Sequence, residues 1–538
     1  MKRTLVLSLA VSALLYGCTQ PIATVEETTP VSRNMFNEEV LAPLNFEQMR
    51  EIVAGVLGDD AASRITPTSR YVRVQFNNAD RMCEYSMRGA AELLPEPLLG
   101  ETYTEVSASA DRPRPMYGLI ERDVPMPEAA ECEVLEEYFD PTSPLSGLTE
   151  AQAAKVNEAV MNNASMTRAG IDDYNWYPSG RIEIYDDLAG TYIPVSGVPV
   201  VVTGYKANSG TTLQVETCTT DSEGRYTCKK QFLGFVSEQV KWANSYWSIM
   251  EDSANIAFTY SPILDRKAWN LIITSSTADR AMQFASAYRA ANYMHNNGYR
   301  ISNLKGTSAV NIRCLDEAIP ANNNDRFEQV SDSSNTMVLY IYCKRKSAFD
   351  IYNVVQRELG KAVHNLRINA STNDYRTFNK IMRESWGEFT NYYFAQHEYR
   401  GLNALNKIQT YAPEYQGDYG YIPFRPDALN RQEWFYNTQL DASSQCRTPL
   451  FIDILDDFDQ GIWPENFSYS YMKYPQDEFF SLLIGGFSDL EEWSRYCKNV
   501  AELKEMCFGA VGPYGTPREA INKLFTVYEE LELSLIHI

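Results

Sequence analysis

The order of hydrophobic and polar residues predicts where the chain forms helices and strands. In residues 44–58 apolar side chains recur every three to four positions, which is typical of one helix face. Residues 70–76 alternate between apolar and polar side chains, which predicts a strand. Thr149 and Gln152 have the spacing of a capping box, so a helix is predicted to begin there. These patterns predict a small α/β domain over residues 36–170.

Residues 179–262 have a different pattern, with short strand-like runs separated by turn residues. Residues 221–224 read DSEG, a hairpin signal in which Gly224 supplies the positive φ. Cys218 and Cys228 flank this turn at nearly mirrored positions. The pattern predicts a β-sandwich.

Residues 270–532 are mainly helical in pattern. Residues 276–298 predict a long helix, and the apolar run 336–343 predicts a buried strand followed directly by a helix over 347–366. Further helices are predicted at 375–394, 476–500 and 515–532, with a loop-rich segment over 400–475. The sequence therefore predicts a multidomain α+β protein with a small α/β domain, a β-sandwich and a mainly helical C-terminal domain.

Length and charge narrow the class of protein. The chain has 538 residues, more than one ordinary core holds, and a formal net charge of −22. An acidic surface repels phosphate backbones, so nucleic acid is excluded as a partner.

The N-terminus has the pattern of an export signal. Lys2 and Arg3 precede an apolar run over residues 5–15 that is too short to span a bilayer, so residues 1–17 are predicted to be a signal peptide. The sequence LYGC that ends at Cys18 resembles a bacterial lipobox. That resemblance implies cleavage before Cys18, diacylation of its thiol and attachment to the outer membrane, with residues 18–35 as a polar tether. An ordinary signal peptide followed by a chance cysteine is the alternative.

The last six residues, 533–538, read LSLIHI. This string resembles the translation of a sequencing adapter, so we expect it to be an artefact. His537 is then disregarded, and His295, His364 and His397 remain as candidate functional histidines.

Residues 356–365 read QRELGKAVHN, which differs at two positions from the HELGH form of a zinc-binding helix. Such a helix needs two histidines at i and i+4 to ligate one ion, and a glutamate after the first to act as general base. Arg357 and Lys361 occupy the two histidine positions, and Glu358 occupies the general-base position.

The helix predicted downstream contains RESWGE over residues 383–388. It resembles the helix that supplies the third, glutamate ligand in gluzincin-type metallopeptidases, with Glu384 at the ligand position and Glu388 one turn later. Residues 270–532 therefore resemble a gluzincin-like domain.

The sandwich passage with GVPVVVTGY and DSEGRYTC resembles the prealbumin-like, carboxypeptidase-regulatory type. The whole chain resembles multidomain lipoproteins of Bacteroides-type bacteria.

The two departures from the motif change its chemistry. Arginine is permanently protonated and cannot ligate a metal, and Lys361 would have to lose its proton beside Glu358. We therefore expect no zinc and no other cofactor. Instead, Arg357 and Lys361 are predicted to form buried ion pairs with Glu358, Glu384 and Glu388.

Two alternatives stay open for this region. One is a metal site with non-standard ligands, built from His364, His397 and either Glu384 or Glu388. The other is a plain amphipathic surface helix in which Glu358 and Lys361 pair at i and i+3.

Eight further cysteines are candidates for disulfides, because an exported chain permits them. Proximity along the chain favours neighbouring partners, although sequence alone does not establish connectivity. The candidate pairs are Cys83–Cys132, Cys218–Cys228, Cys314–Cys343 and Cys497–Cys507.

These features predict a cell-envelope lipoprotein with a catalytically inactive metallopeptidase-like domain. Its expected role is to bind a peptide, a glycan or another envelope protein in a cleft lined by Trp386, Tyr392 and Tyr393. The alternatives are an active metallopeptidase and a structural envelope protein without a ligand. The sequence leaves open which face of the outer membrane the protein occupies.

Overall fold

The computed structural model describes residues 43–529, with gaps. The predicted signal peptide, Cys18, the tether and residues 533–538 lie outside the described residues. The longer gaps are 96–112, 164–174, 208–211, 302–309, 319–325, 330–336, 371–374, 403–449, 456–486 and 515–517. The shorter gaps are 129, 253, 263, 278–279, 519–520, 523 and 527.

The fold is mixed α and β with several sheets, in agreement with the predicted α+β class. The described helices are α1 (Phe46–Leu57), α2 (Asp59–Ala62), α3 (Ala79–Arg88), α4 (Glu150–Asn163), α5 (Ala281–Asn296), α6 (Ala348–Ala370), α7 (Lys380–Gly401), α8 (Leu450–Leu455), α9 (Phe487–Ser494) and α10 (Val500–Tyr514). Short 3-10 turns occur at Pro144–Ser146 and Tyr375–Thr377.

The strands form separate sheets in the N-terminal, middle and C-terminal parts of the described chain. In the first part they are β1 (Ser69–Phe76), β2 (Met116–Glu121) and β3 (Ala130–Tyr138). In the middle they are β4 (Asn175–Trp176), β5 (Ser179–Asp186), β6 (Thr191–Pro194), β7 (Pro199–Lys206), β8 (Leu213–Thr219), β9 (Arg225–Thr227), β10 (Phe232–Lys241), β11 (Trp247–Met250), β12 (Phe258–Tyr260), β13 (Leu264–Asp265) and β14 (Trp269–Ile273). In the last part they are β15 (Val310–Leu315), β16 (Arg326–Gln329) and β17 (Met337–Tyr342).

The N-terminal sheet is antiparallel with β1 at its centre, in the order β2-β1-β3. The strand predicted at 70–76 is therefore confirmed. The predicted capping box also forms: the Thr149 N–H donates to Gln152 Oε1 at 3.0 Å, and the Gln152 N–H donates to Thr149 Oγ1 at 3.3 Å. These bonds satisfy two backbone donors that would otherwise be unpaired at the start of α4.

The middle strands other than β11 form two sheets, and side chains from both lie in one hydrophobic core. We keep the name sandwich for these two sheets. One sheet has the order β12-β10-β7-β8, and the other has the order β14-β5-β6 with β9 also paired to β5. The predicted turn is present, because the Gly224 N–H donates to the Asp221 carbonyl at 3.0 Å and Gly224 has φ +72°. The turn carries the chain from β8 in one sheet to β9 in the other.

The C-terminal part contains a four-stranded sheet, in the order β11-β15-β17-β16, beside its helices. Strands β11, β15 and β17 are parallel, and β16 is antiparallel at the edge. The strand predicted at 336–343 is confirmed as β17, which leads directly into α6.

Strand pairing crosses the predicted boundary between the sandwich and the C-terminal domain. β11 lies within residues 179–262 but pairs with β15, and β14 lies near residue 270 but pairs with β5. One hydrophobic core runs from Ile182 in the sandwich to Tyr528 near the end of the described chain. The sandwich and the helices are therefore packed as one unit. None of the described helices is long and apolar enough to cross a bilayer.

Candidate functional site

Helices α6 and α7 place the motif residues opposite one another. The buried face of α6 carries apolar residues at helical spacing, including Val355, Leu359 and Ala362. The two helices run antiparallel, because Lys361 bonds to Glu384 early in α7 and Tyr352 bonds to Glu398 late in α7.

The motif glycine allows these helices to approach closely. A Cβ atom at Gly360 would lie 1.8 Å from Thr390 Oγ1, and one at Gly387 would lie 3.0 Å from the Arg357 carbonyl oxygen. Only glycine fits at position 360 without moving α7. The contact leaves little space between the helices for anything except the side chains that fill it.

Five charged residues meet between the helices, and we call them the helix-pair cluster. Arg357 Nε donates to Glu358 Oε1 at 2.9 Å, and Arg357 Nη1 lies 3.8 Å from Glu388 Oε1. Lys361 Nζ donates to Glu384 Oε2 at 2.9 Å and lies 2.6 Å from Glu358 Oε2. The last contact is an ion pair without hydrogen-bond alignment within the described residues.

The helix-pair cluster is buried. The side chains of Arg357, Glu358 and Lys361 are 4%, 0% and 5% exposed, and that of Glu384 is 16% exposed. At this depth the mutual attraction offsets a large desolvation cost, so the pairs add little net stability. Removing one partner leaves a charge uncompensated and costs about 3–5 kcal/mol.

The predicted ion pairs are thus confirmed, and the surface-helix alternative is wrong because the charged residues face α7 rather than solvent. The residues do not fit a zinc ion. Two cations occupy the positions at which the HELGH motif has histidines, and each cation already contacts a carboxylate. No catalytic step through a metal follows from this arrangement.

His364 lies one turn beyond Lys361 and is fully buried. Its Nε2–H donates to the Ser494 carbonyl at 3.1 Å. The rings of Tyr375, Phe378 and Trp386 surround it at centroid distances of 5.8, 6.2 and 5.1 Å. Burial lowers the pKa of His364 to about 3, so the ring is neutral near pH 7 and serves as a core residue.

His397 does not join His364. It is exposed on α7, and its Nδ1 lies 2.7 Å from the Tyr293 hydroxyl oxygen. Within the described residues, the one group of three candidate ligand atoms lying within 4.8 Å of each other is Glu216, Cys218 and Cys228, in the sandwich. The non-standard metal site proposed from His364, His397 and a glutamate is therefore not assembled.

The aromatic residues predicted to line a cleft are core residues instead. Trp386 is fully buried, and its Nε1–H donates to the Tyr299 hydroxyl at 2.9 Å. Tyr392 and Tyr393 are partly buried and pack against the same core. The prediction was therefore wrong for Trp386, whose side chain packs among the surrounding helices, while a surface role for the half-buried Tyr392 and Tyr393 stays a prediction.

A second buried ionic group was missed by sequence reasoning, and we call it the sandwich-side cluster. It joins Asp186 at the end of β5 to Arg289 on α5, Tyr352 on α6, and Glu398 and Tyr399 on α7. Arg289 donates to Asp186 Oδ2 at 2.7 Å, to Glu398 Oε1 at 3.1 Å and to the Tyr399 hydroxyl at 2.9 Å. The tyrosines donate in turn, Tyr399 to Asp186 at 2.5 Å and Tyr352 to Glu398.

The protonation state of the sandwich-side cluster follows from burial. Burial and the neighbouring charges together raise the pKa of Tyr352 and of Tyr399 well above the ordinary value, so both keep their protons and donate. Burial alone would lower the pKa of Arg289, but the carboxylates of Glu398 and Asp186 outweigh it and raise that pKa. The cluster is therefore a fully bonded link between sandwich and helices. No local sequence motif could have revealed this cluster. Three of its hydrogen bonds join residues that are 103, 110 and 213 positions apart in the sequence.

None of the four predicted S–S bonds is present among the described residues. Cys83 and Cys132 do not pair, because Cys83 Sγ lies 3.4 Å from Met250 Sδ and Cys132 Sγ donates to the Pro127 carbonyl. The remaining pairs are likewise unbonded: Cys218–Cys228, whose sulfurs lie 2.9 Å apart, Cys314–Cys343 and Cys497–Cys507.

Comparison with known proteins assigns no family. No protein-family model matches the chain, and no curated protein matches it.

Proposed function

We propose that this chain is an exported, lipid-anchored protein of the outer membrane whose metallopeptidase-like helix pair is catalytically inactive. The observation that carries this proposal is the helix-pair cluster. Arg357 and Lys361 supply from the protein the positive charge that a zinc ion supplies in the enzymes that the motif resembles. Glu358, the general-base position, is fully buried and contacts both cations, so it is not available to activate water.

The proposal is tested with the full chain, produced without a histidine tag and incubated with zinc. Mass spectrometry after desalting is expected to find far less than one zinc per chain, and casein is expected to remain uncleaved. One bound zinc together with casein cleavage that a chelator abolishes would contradict the proposal. His364 and His397 would then be substituted to find the ligands.

A protein without catalytic activity can still bind a ligand. We expect the binding site on the surface, because side chains fill the space between α6 and α7 and leave no cleft for a ligand there. Tyr185 on β5 and Tyr192 on β6 are 39% and 47% exposed, with ring centroids 5.3 Å apart. Neighbouring exposed aromatic rings provide a face for sugars or for peptide side chains. We assign the peptide or glycan binding role to this pair.

A glycan array and a peptide array, both read with the labelled full chain, test that assignment. Tyr185→Ala is expected to abolish the signals that the unchanged chain gives. Tyr177→Ala is the matched control, because Tyr177 is 49% exposed and contributes to no described ring pair. Signals that survive Tyr185→Ala would place the binding role elsewhere.

A structural envelope protein without a ligand is the second candidate. It is favoured by the single core that joins sandwich and helices, since a rigid body needs no open cleft. Arrays without any signal, from a folded and zinc-free chain, would support it over the binding role.

A further inference from the structure

The two thiols that flank the turn at residues 221–224 are close enough to react with each other. Cys218 Sγ and Cys228 Sγ lie 2.9 Å apart, and both residues are buried. A disulfide needs a sulfur–sulfur distance of about 2.05 Å. The two sulfurs therefore need to move by less than about 1 Å to bond.

The two cysteines belong to different sheets of the sandwich. Cys218 lies on β8, opposite Val200 of β7. Cys228 directly follows β9, which pairs with β5, and its N–H donates to the Pro178 carbonyl at 2.8 Å. A bond between these sulfurs would therefore join one sheet to the other across the core.

We propose that Cys218 and Cys228 are oxidised to a disulfide that locks the two sheets of the sandwich together. Each thiol loses one hydrogen and one S–S bond forms. The two electrons and two protons pass to a protein or small-molecule disulfide, which is reduced to two thiols. An exported chain meets such an oxidant outside the cytoplasm.

A metal is a weaker explanation for the same group. Glu216 is the third candidate ligand, but its two carboxylate oxygens already accept the N–H groups of Lys229 at 2.8 Å and Lys230 at 2.9 Å. The hydrogen bond with Cys218, and burial, raise the pKa of Cys228 well above its usual range. Metal binding requires thiolates, whereas a buried disulfide is neutral.

Among the described residues, no other pair of cysteine sulfurs is recorded at so short a distance. Cys314 Sγ and Cys343 Sγ donate to the backbone carbonyls of Gln283 and Ile341, respectively, rather than facing each other. Cys132 lies on β3, in the N-terminal sheet, and belongs to neither sheet that carries Cys218 or Cys228. It is partly exposed, and this makes it a matched control for thiol chemistry. The inference rests on the export part of the proposed function, which supplies the oxidant, but it does not depend on the helix pair. Failure of the disulfide would therefore leave the inactive helix pair untouched, and zinc binding by the helix pair would leave the disulfide untouched.

The test uses the full chain treated with oxidised glutathione, then desalted, denatured and alkylated. Peptide mapping is expected to find one crosslink, between Cys218 and Cys228, with Cys132 alkylated. Reduction is expected to lower the thermal midpoint by about 5 °C. The Cys218→Ser/Cys228→Ser variant is expected to show no such change, and Cys132→Ser is expected to behave like the unchanged chain.

Two results would overturn the proposal. One is alkylation of both Cys218 and Cys228 after oxidation, with a midpoint that reduction does not alter. The other is one equivalent of metal, measured by mass spectrometry, that leaves when the two cysteines are replaced by serine. The second result would make the group a metal site.

Discussion

The helix-pair cluster and the sandwich-side cluster are both buried, but they differ in the number of charged groups and in the groups that pair with them. In the helix-pair cluster two cations meet three carboxylates, all carried by two adjacent helices. Two of the four contacts, Lys361–Glu358 and Arg357–Glu388, are ion pairs without a hydrogen bond. In the sandwich-side cluster one cation, Arg289, pairs with two carboxylates, and two tyrosine hydroxyls donate to those carboxylates, so that the cluster joins four elements. The difference indicates that the first cluster balances charge within one helix pair, whereas the second links the middle strands to the helices.

Breaking the sandwich-side cluster is expected to have the largest effect. Arg289→Met leaves the carboxylates of Asp186 and Glu398 buried without a cation and is expected to lower the free energy of unfolding by about 4 kcal/mol. Urea denaturation measures the change. Arg50→Met is the control, since its pair with Glu47 is about half exposed and worth less than about 1 kcal/mol. If Arg289→Met lowers the free energy of unfolding by less than about 1 kcal/mol, the cluster does not hold the two parts of the fold together.

The matching change in the helix-pair cluster is Lys361→Met. It is expected to cost about 3 kcal/mol, less than Arg289→Met because Glu384 keeps some access to water and Arg357 still neutralises Glu358. Adding Glu384→Gln should recover part of the loss, and a double-mutant cycle by urea denaturation measures this coupling. Costs that add without coupling would mean that the two residues do not interact.

Glu238 is a buried carboxylate outside both clusters, and it forms no ion pair with the described residues. It is fully buried and accepts from the Tyr226 hydroxyl, and burial raises its pKa to about 7 from 4.5. The folded state therefore binds the proton more tightly, so this stability is present below pH 4.5 and is lost as pH rises through 7. The loss is at most about 3 kcal/mol. Glu238→Gln is expected to reduce the fall in thermal midpoint between pH 5 and pH 8, and an unchanged fall would contradict the assignment.

The smallest expected effect concerns how closely α6 and α7 pack. Gly360→Ala puts a methyl group against Thr390 and is expected to cost about 2 kcal/mol, measured by thermal unfolding. Gly55→Ala on α1 meets nothing within 4 Å and is expected to stabilise by about 0.5–1 kcal/mol. Equal effects at the two sites would show that the helices are not in close contact at Gly360.

The helix-pair cluster was predictable because its chemistry is local. Arg357, Glu358 and Lys361 lie on one helix, and the RESWGE sequence placed Glu384 and Glu388 on one face of the next. The sandwich-side cluster was not predictable, because Asp186 and Arg289 become neighbours only when β5 packs beside α5. The same limit explains the error at Trp386: periodicity identifies a helix face but does not tell whether that face meets solvent or other helices.

The sandwich strands were likewise recognisable from pattern, but their partners were not. β14 pairs with β5 and β11 pairs with β15, so strands that adjoin in sequence separate into different sheets. Parallel pairing between distant segments leaves no turn signal in the sequence. The boundary predicted between the sandwich and the C-terminal domain therefore separates strands that pair with each other, β11 from β15 and β5 from β14.

Zinc binding by a variant with the histidines restored tests the central claim most directly. Arg357→His/Lys361→His places two neutral ligands one turn apart, with Glu384 opposite as the third. Isothermal titration with zinc is expected to give one tight site in this variant and none in the unchanged chain or in Arg357→Gln/Lys361→Gln. A folded histidine variant that binds no zinc would contradict the claim that Arg357 and Lys361 occupy the place of a metal.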